Sequence, residues 1–301
     1  MIRHSTGGAM QICFIGLGVM GAAMARHLAS AGYKVVGYDP DPEAGKGIDC
    51  KSSAATAAQD ADIIITMLPH GGVVASVVDE ILPVCKAGSL LVDTSSAEPW
   101  LTRETAERLA EKGVSMVDAP VSGASWGAES ATLVFMVGGS DADVARTRPL
   151  LDVMGKATHH VGPLGAGHAM KTINNIITAM TVIGTTEAML IGKAYGLDPS
   201  AMADVLNVST GQSFWTTERL HQDVLNRKFE DGFKLSLMHK DVEIATRLGR
   251  ELGLDLPFLE TGRAMWEDAD ERLGPGAPVT AFVRYVEEKT GLRLDDSDDS
   301  A

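Results

Sequence analysis

Several protein classes are excluded by what the sequence has little of. There are three cysteines, Cys13, Cys50 and Cys85, with no CxxC pair and no even framework. That usage belongs to a reducing compartment and argues against a disulfide-stapled scaffold. The eight histidines (His4, His27, His70, His159, His160, His168, His221 and His239) show no HExxH or similar spacing, so no metal site is supported. Ser122 lacks a GxSxG elbow, which leaves a hydrolase triad around it unsupported. Positive charge is scarce, with 26 Lys+Arg against 40 Asp+Glu and a net charge of −14. A nonspecific nucleic-acid binder needs the opposite sign, because phosphate contacts supply most of that affinity.

The first ten residues, MIRHSTGGAM, contain no apolar h-region, so no secretory signal is expected. Met10 directly precedes the first apolar run, and residues 1–9 read as an extension or an alternative start. The longest apolar stretch, residues 173–192, is interrupted by Asn174, Asn175, several threonines and Glu187, and reads as too polar to span a bilayer. The expectation is a cytoplasmic protein with neither a membrane nor a nucleic acid as partner.

What is present suffices for two domains. The chain has 301 residues, 45% hydrophobic and 22% charged, enough to bury a sizeable core. Charge is uneven along it. Residues 1–165 carry 12 basic against 18 acidic groups, residues 166–250 carry 9 against 9, and the last 51 carry 5 against 13. Four of those acids, Asp295, Asp296, Asp298 and Asp299, lie at the end, so residues 293–301 are expected to form an acidic, disordered tail.

From residue 10 to 165, apolar runs alternate with helical patterns. The runs are 12–15, 34–38, 62–68, 89–93, 114–118, 132–137 and 157–161, with helices over 21–30, 98–112 and 141–154. Continuous rather than alternating apolar runs predict a mostly parallel sheet covered on both faces. After Gly165 the strand signal stops. Helices are predicted over 166–195, 199–208, 212–225, 234–252, 257–273 and 278–290, punctuated by Pro199, Gly232, Pro257, Gly274 and Pro278. The fold expected is an α/β Rossmann-like domain over 10–165, followed by an all-α domain over 166–292 that a long helix joins to it.

Gly16-Leu17-Gly18-Val19-Met20-Gly21 follows the first apolar run and opens a helix. In that context the glycines give a tight turn, backbone approach to a pyrophosphate and close helix–strand packing. The helix N-terminus offers N–H groups to the phosphates. The second run ends in Asp39, placed to bind a ribose 2′-hydroxyl and to repel a 2′-phosphate. With Pro40 rather than arginine after it, NAD is favoured over NADP.

In the apolar segment 166–195, Lys171, Asn174, Asn175 and Thr178 fall on one helical face, and no other charge occurs before Glu187. Uncharged polar groups beside a single lysine suit a cleft better than bulk water. A partly desolvated lysine there can act as general acid or base. Further on, Lys240 interrupts an apolar stripe of Phe233, Leu237, Ile244 and Leu248, where it either snorkels or faces an anionic ligand. Ser122-Gly123, after the run ending at Asp118, could present N–H groups to an anion or be an ordinary turn.

These motifs together resemble the β-hydroxyacid dehydrogenase family, of which 3-hydroxyisobutyrate dehydrogenase is the best-known type. The resemblance runs from about residue 11 to 290 in four ordered blocks. They are Gly16–Gly21 with Met24-Ala25 and Leu28; Asp118-Ala119-Pro120-Val121-Ser122-Gly123; Gly165-Ala166-Gly167 with Lys171, Asn174 and Asn175; and Lys240-Asp241. It implies Lys171 as general acid/base, Ser122 and Gly123 as holders of a substrate carboxylate, and Asn175 as a hydrogen-bond partner of the substrate. It also implies Lys240 near nicotinamide and substrate, Leu68, Pro69 and Ser96 along the cofactor, and a homodimer or homotetramer. The implied reaction is NAD-linked interconversion of a small 3-hydroxy acid with its semialdehyde or keto acid. Candidate substrates are 3-hydroxyisobutyrate, tartronate semialdehyde/glycerate, threonate-like four-carbon sugar acids, and succinic or sulfonated semialdehydes.

The sequence departs from the family pattern at three places. Gly123 is followed by Ala124-Ser125-Trp126 rather than a second glycine, and the tryptophan is expected to narrow the substrate pocket. His70 stands where Asn is common, and Asp39-Pro40 replaces the Asn-Arg of NADP-preferring relatives. The rival readings are an imine reductase of similar architecture, a non-catalytic dinucleotide-binding or chromatin-associated module, and a 6-phosphogluconate-type decarboxylating enzyme. Lys171 argues against the first two and the acidic balance against the second. The third is disfavoured by a short chain with no basic cluster for a sugar phosphate.

Overall fold

The computed structural model describes residues 10–295, which divide into two compact units at Lys171/Thr172, a few residues beyond the expected boundary and inside a helix. The strands, all in the first unit, are β1 (Gln11–Ile15), β2 (Lys34–Tyr38), β3 (Asp49–Cys50), β4 (Ile63–Thr66), β5 (Leu90–Asp93), β6 (Ser115–Asp118), β7 (Val121–Ser122), β8 (Leu133–Gly138) and β9 (Gly155–Gly162). The helices of this unit are α1 (Val19–Ser30), α2 (Ala54–Ala58), α3 (Gly71–Ile81), α4 (Pro99–Ala110), α5 (Ala124–Glu129) and α6 (Asp141–Met154).

The sheet runs β3-β2-β1-β4-β5-β6-β8-β7, with β9 beside β8. All pairs from β3 to β6 are parallel, β8 is antiparallel to β6 and β7, and β9 is parallel to β8. This is a Rossmann-like sheet, and its order reverses between β1 and β4. At such a switch point the strand C-termini leave a crevice for a ligand.

The apolar runs are continuous because each strand feeds two cores. On β1, Ile12 and Phe14 join one cluster with Met24 and Leu28 of α1 and Val144 and Leu151 of α6. Cys13 and Ile15 point the other way, to Ala54 and Ala57 of α2, Val78 and Ile81 of α3 and Leu109 of α4. Burial on both faces removes the polar alternation of a half-exposed strand.

The second unit is helical. α7 (Ala166–Tyr195) begins in the first unit and continues into the second, followed by α8 (Pro199–Leu206), α9 (Phe214–Glu218), α10 (Leu235–Glu251), α11 (Pro257–Leu273) and α12 (Phe282–Thr290). Its core joins Val182, Ile183 and Leu190 of α7 to Trp215, Met238, Val242, Trp266, Phe282 and Tyr285. Phe282 packs between Trp266 and Tyr285, at centroid distances of 4.3 and 5.4 Å.

Three expectations are corrected. The helix predicted over 212–225 is instead α9 followed by a π-turn at Leu220–Val224. The register widens at Arg219, whose φ is −115° and whose carbonyl accepts from Asp223 N–H at 3.0 Å and from Val224 N–H, five residues on, at 3.1 Å. α7, read as too polar for a bilayer, does reach the length and mean hydropathy (1.3 in its most apolar window) of a membrane span. Part of that apolar surface packs in the second core, as for Ala179, Val182 and Ile183. The tail expected from 293 is ordered at its start. Leu294 is buried and its N–H donates to Glu287 Oε1 at 2.9 Å, while Arg227 holds the same carboxylate at 2.6 and 2.7 Å. Asp296, Asp298 and Asp299 lie outside the described residues.

Candidate active site

In the first unit, the chain turns sharply at Gly16, where φ is +93° and a Cβ would lie 2.3 Å from the Met67 carbonyl oxygen. Gly21 seats α1 against that turn, since a Cβ there would come within 1.8 Å of Gly16 O. Gly18 faces open space, and α1 begins at Val19 with no side-chain cap and no acid in its first turn. Uncapped first-turn N–H groups beside a glycine with nothing over it fit the pyrophosphate of a dinucleotide. Met20 lies on the same first turn and packs against the core.

Asp39 follows β2 directly. Its Oδ2 accepts from Leu17 N–H at 2.7 Å and its Oδ1 from Asp41 N–H at 2.9 Å. The carboxylate therefore both braces the glycine turn and stands at the strand tip expected to meet a ribose. On the other side of the turn lies Leu68, within 3.0 Å of a Cβ built on Gly16, and its N–H donates to Ser95 Oγ at 2.9 Å. Leu68-Pro69 and the segment 93–96 thus project from the C-terminal ends of β4 and β5, beside the glycine turn. His70, which follows, is the N-cap residue of α3 but makes no side-chain cap bond.

Ser122 ends β7 and Gly123, at φ +136°, turns the chain into α5. The departure from the family pattern has a structural cost there, since Ala124 takes a φ of +52°, a left-handed conformation that L-residues other than Asn and Asp seldom adopt. Trp126 is half exposed on α5.

The start of α7 is tied to the sheet. Asp118, the last residue of β6, accepts from Gly165 N–H (Oδ1, 2.8 Å) and His168 N–H (Oδ2, 2.7 Å), and so caps α7 from across the fold. Burial pushes the Asp118 carboxyl up, opposed by His168 and by those two N–H donors. Lys171 lies one turn along from His168 and is the last residue of this unit.

In the second unit, α7 goes on to Asn174, Asn175 and Thr178. Asn174 Nδ2 donates to Asn175 Oδ1 at 3.0 Å, Asn175 Nδ2 donates to Asp241 Oδ2, and Lys240 Nζ lies 3.4 Å from Asp241 Oδ1. Asn175 and Lys240 are thus brought together through Asp241, which is 3% exposed. The Thr178 hydroxyl donates to its own helix at Asn174 O, at 3.2 Å.

In the sequence Asp118 and Asp241 enter only as members of the blocks that carry the family resemblance, with no role of their own, and His168 only as a histidine without ligand spacing. The available signal was their chemistry: acids at a strand end and on a largely apolar helix face need donors once buried. Among the described residues, no three His, Cys, Asp or Glu side chains converge as a metal site.

Two family models match the chain: the NAD-binding domain of 6-phosphogluconate dehydrogenase over residues 11–162, and the NAD-binding segment of NADP-dependent 3-hydroxyisobutyrate dehydrogenase over 165–286. The 2-(hydroxymethyl)glutarate dehydrogenase of Eubacterium barkeri is 35% identical over 295 residues, 95% of this chain and 98% of the relative. The chain belongs to the β-hydroxyacid dehydrogenase family. Another member, the 3-hydroxyisobutyrate dehydrogenase of Drosophila melanogaster, is 34% identical over 89% of this chain and 87% of its own length. The structure of 3-hydroxyisobutyrate dehydrogenase from Mycobacterium tuberculosis with L-serine superposes with a TM-score of 0.86 at 32% identity, covering 92% of this chain and 99% of the other. An imine reductase from Streptomyces aurantiacus, at 20% identity and a TM-score of 0.59, shares the fold over 92% of this chain and 99% of its own. This member of the family therefore has homologues that are oxidoreductases acting on hydroxy acids, and its first unit matches a family of NAD(P)-binding domains.

Gly21→Ala should open the turn that a Cβ at this position would strike. Calorimetric titration with NADH is expected to show affinity weakened at least about tenfold, or about 1.4 kcal/mol, and the thermal melting temperature should fall too, because backbone must shift to admit the Cβ. Unaltered affinity would contradict this account of the glycine turn.

Proposed function

We propose that the protein is an NAD-linked dehydrogenase that interconverts a small 3-hydroxy acid with its semialdehyde or keto acid, with Lys171 as general acid/base. The observation that carries this reading is α7 itself. One helix, capped at its start by Asp118, presents Lys171 and then Asn175 one turn apart on the same face. The cofactor, when bound, supplies the hydride acceptor at nicotinamide C4. Gly16, Leu17, Gly18, Val19, Met20 and Gly21 would hold its pyrophosphate and Asp39 its ribose, and Leu68, Pro69 and Ser96 would line it.

In the oxidative direction, Nζ of a neutral Lys171 would take the proton from the substrate hydroxyl oxygen as hydride leaves the carbon that bears that hydroxyl. In reverse, the protonated amine returns it to the carbonyl oxygen. Ser122 and Gly123 hold the substrate carboxylate, and Asn175 and Lys240 bind it beside the reacting carbon. Proton transfer by a positioned side chain is worth roughly 10²- to 10⁴-fold. Candidate substrates are 3-hydroxyisobutyrate, glycerate and threonate. The relative from Eubacterium barkeri adds 2-(hydroxymethyl)glutarate.

The proposal extends to setting and assembly. The three free cysteines fit a reducing cytoplasm. A groove in the second unit, lined by Ile176, Ile177, Met180, Pro257 and Phe258, leaves Ile177 and Phe258 well exposed, which suits a homodimer or homotetramer.

Lys171→Ala should lose about 10³-fold or more in kcat while NADH titration gives unchanged affinity. Near-wild-type turnover would remove the acid/base assignment, and tight NAD binding with no activity on any of these hydroxy acids would revive the non-catalytic reading. The wild type should use NAD in preference to NADP, and Asp39→Ala should narrow that gap; a wild-type preference for NADP would overturn the role of Asp39. Phe258→Glu should reduce the mass measured by light scattering to that of one chain, and a wild type already at that mass would dismiss the oligomer.

A further inference from the structure

The imidazole of His168 does more than the helix start requires. Capping the first turn of α7 is already done by the Asp118 carboxylate. Two glycines let that turn sit flush on the sheet: a Cβ on Gly138 would lie 2.4 Å from Asp118 Oδ1, and one on Gly167 would lie 2.3 Å from Met136 O. Neither contact involves the His168 ring. Yet the ring is fully buried, where an apolar side chain would avoid the cost of desolvating two ring nitrogens.

Its bonds show what it holds. Nε2 meets Ser95 O at 3.1 Å, and because a carbonyl only accepts, Nε2 is the donor. Nδ1 meets the Thr102 hydroxyl of α4 at 2.7 Å. Asp93 Oδ2 and Asp118 Oδ2 each lie 3.7 Å from a ring nitrogen. Asp93 Oδ1 in turn accepts from Ser95 N–H and the Thr66 hydroxyl, and Ser95 Oγ accepts from Leu68 N–H. Ser95 is therefore gripped by the first turn of α7 through its carbonyl, and it grips the Leu68-Pro69 loop through its hydroxyl.

We propose that His168 is a positioning residue for Lys171: its ring locks the helix turn that delivers the lysine to the same Ser95 that carries the cofactor-lining loop. One buried post then fixes where the proton acceptor stands relative to the cofactor-lining loop, which Ser95 and Asp93 hold by their own bonds. The inference rests on the reading of Lys171 as the acid/base group. Lys171 follows His168 by three residues, about 4.5 Å of helix, so a shift of the turn passes to the lysine almost undiminished. A misplacement of about 1 Å at a reacting group can cost about 100-fold.

The test is steady-state kinetics of the NAD-loaded enzyme on its best hydroxy acid, for His168→Ala, His168→Gln, Thr102→Val, Lys171→Ala and the Lys171→Ala/His168→Ala double variant. His168→Ala should lower kcat about 10- to 100-fold, with substrate KM and NADH affinity each within about threefold of wild type. The Gln amide can still donate to Ser95 O and meet Thr102, so His168→Gln should regain most of that loss. In the Lys171→Ala background, His168→Ala should cost less than about threefold more, because coupled groups are non-additive.

Unchanged kcat in folded His168→Ala would overturn the proposal. So would a loss carried by KM or NADH affinity, or a full additional loss in the Lys171→Ala background. Wild-type turnover by Lys171→Ala alone would instead defeat the reading of the lysine, so the two failures are told apart. Should His168→Ala not fold, Thr102→Val keeps the ring and the Asp118 cap. It is expected to lose about 3- to 10-fold in kcat at constant KM, and an unchanged kcat there would equally overturn the proposal.

Discussion

The contact on which the candidate site depends is the Asp118 carboxylate at the end of β6, holding the N–H groups of Gly165 and His168. Strand C-termini and a helix N-terminus are both places where backbone groups lack partners. A carboxylate can satisfy two such donors at once, which neutral side chains seldom do. It also carries the charge that the positive end of a thirty-residue helix favours. Where α7 leaves the sheet is thereby set, and with it the start of the face that bears Lys171. The carboxyl is pushed up by burial and pulled back by the groups it binds, a balance that removal of either N–H donor would upset.

Much of this could be read before the fold was seen, for physical reasons. Buried parallel strands announce themselves as unbroken apolar runs, and seven were placed within a residue or two of β1, β2, β4, β5, β6, β8 and β9 except where run ends overshot. Glycine positions were legible because Gly16 and Gly21 are places where a Cβ has no room. Less legible were the short elements: α2 is five residues rich in alanine, α3 opens on Gly71-Gly72, and β3 and β7 are two residues each. None is long enough to show a period.

The site was legible where a residue type was odd for its place and obscure where it was ordinary. Lys171 and Lys240 stood out as charges on apolar helices. Asp118, Asp241 and His168 did not, because their importance comes from partners 47 to 73 residues away in the chain. A carboxylate at a strand end looks the same in sequence whether it faces water or caps a helix. The π-helix after Arg219 and the ordered Leu294 belong to the same class, since local pattern suggested one regular helix and one loose tail.

The overall charge of −14 gives anionic ligands no general attraction. Lys240 does not supply one either, because it comes paired with the buried Asp241, and the pair is close to neutral as a unit. Asp241 also takes the Asn175 amide, and as an acceptor-only group it dictates which end of that amide carries hydrogen. A small anion bound there would meet oriented donors in place of a standing positive field. Recognition built this way discriminates by where oxygens sit on the ligand rather than by how much charge it bears. It is also little affected by ionic strength, which screens long-range fields far more than short, buried contacts.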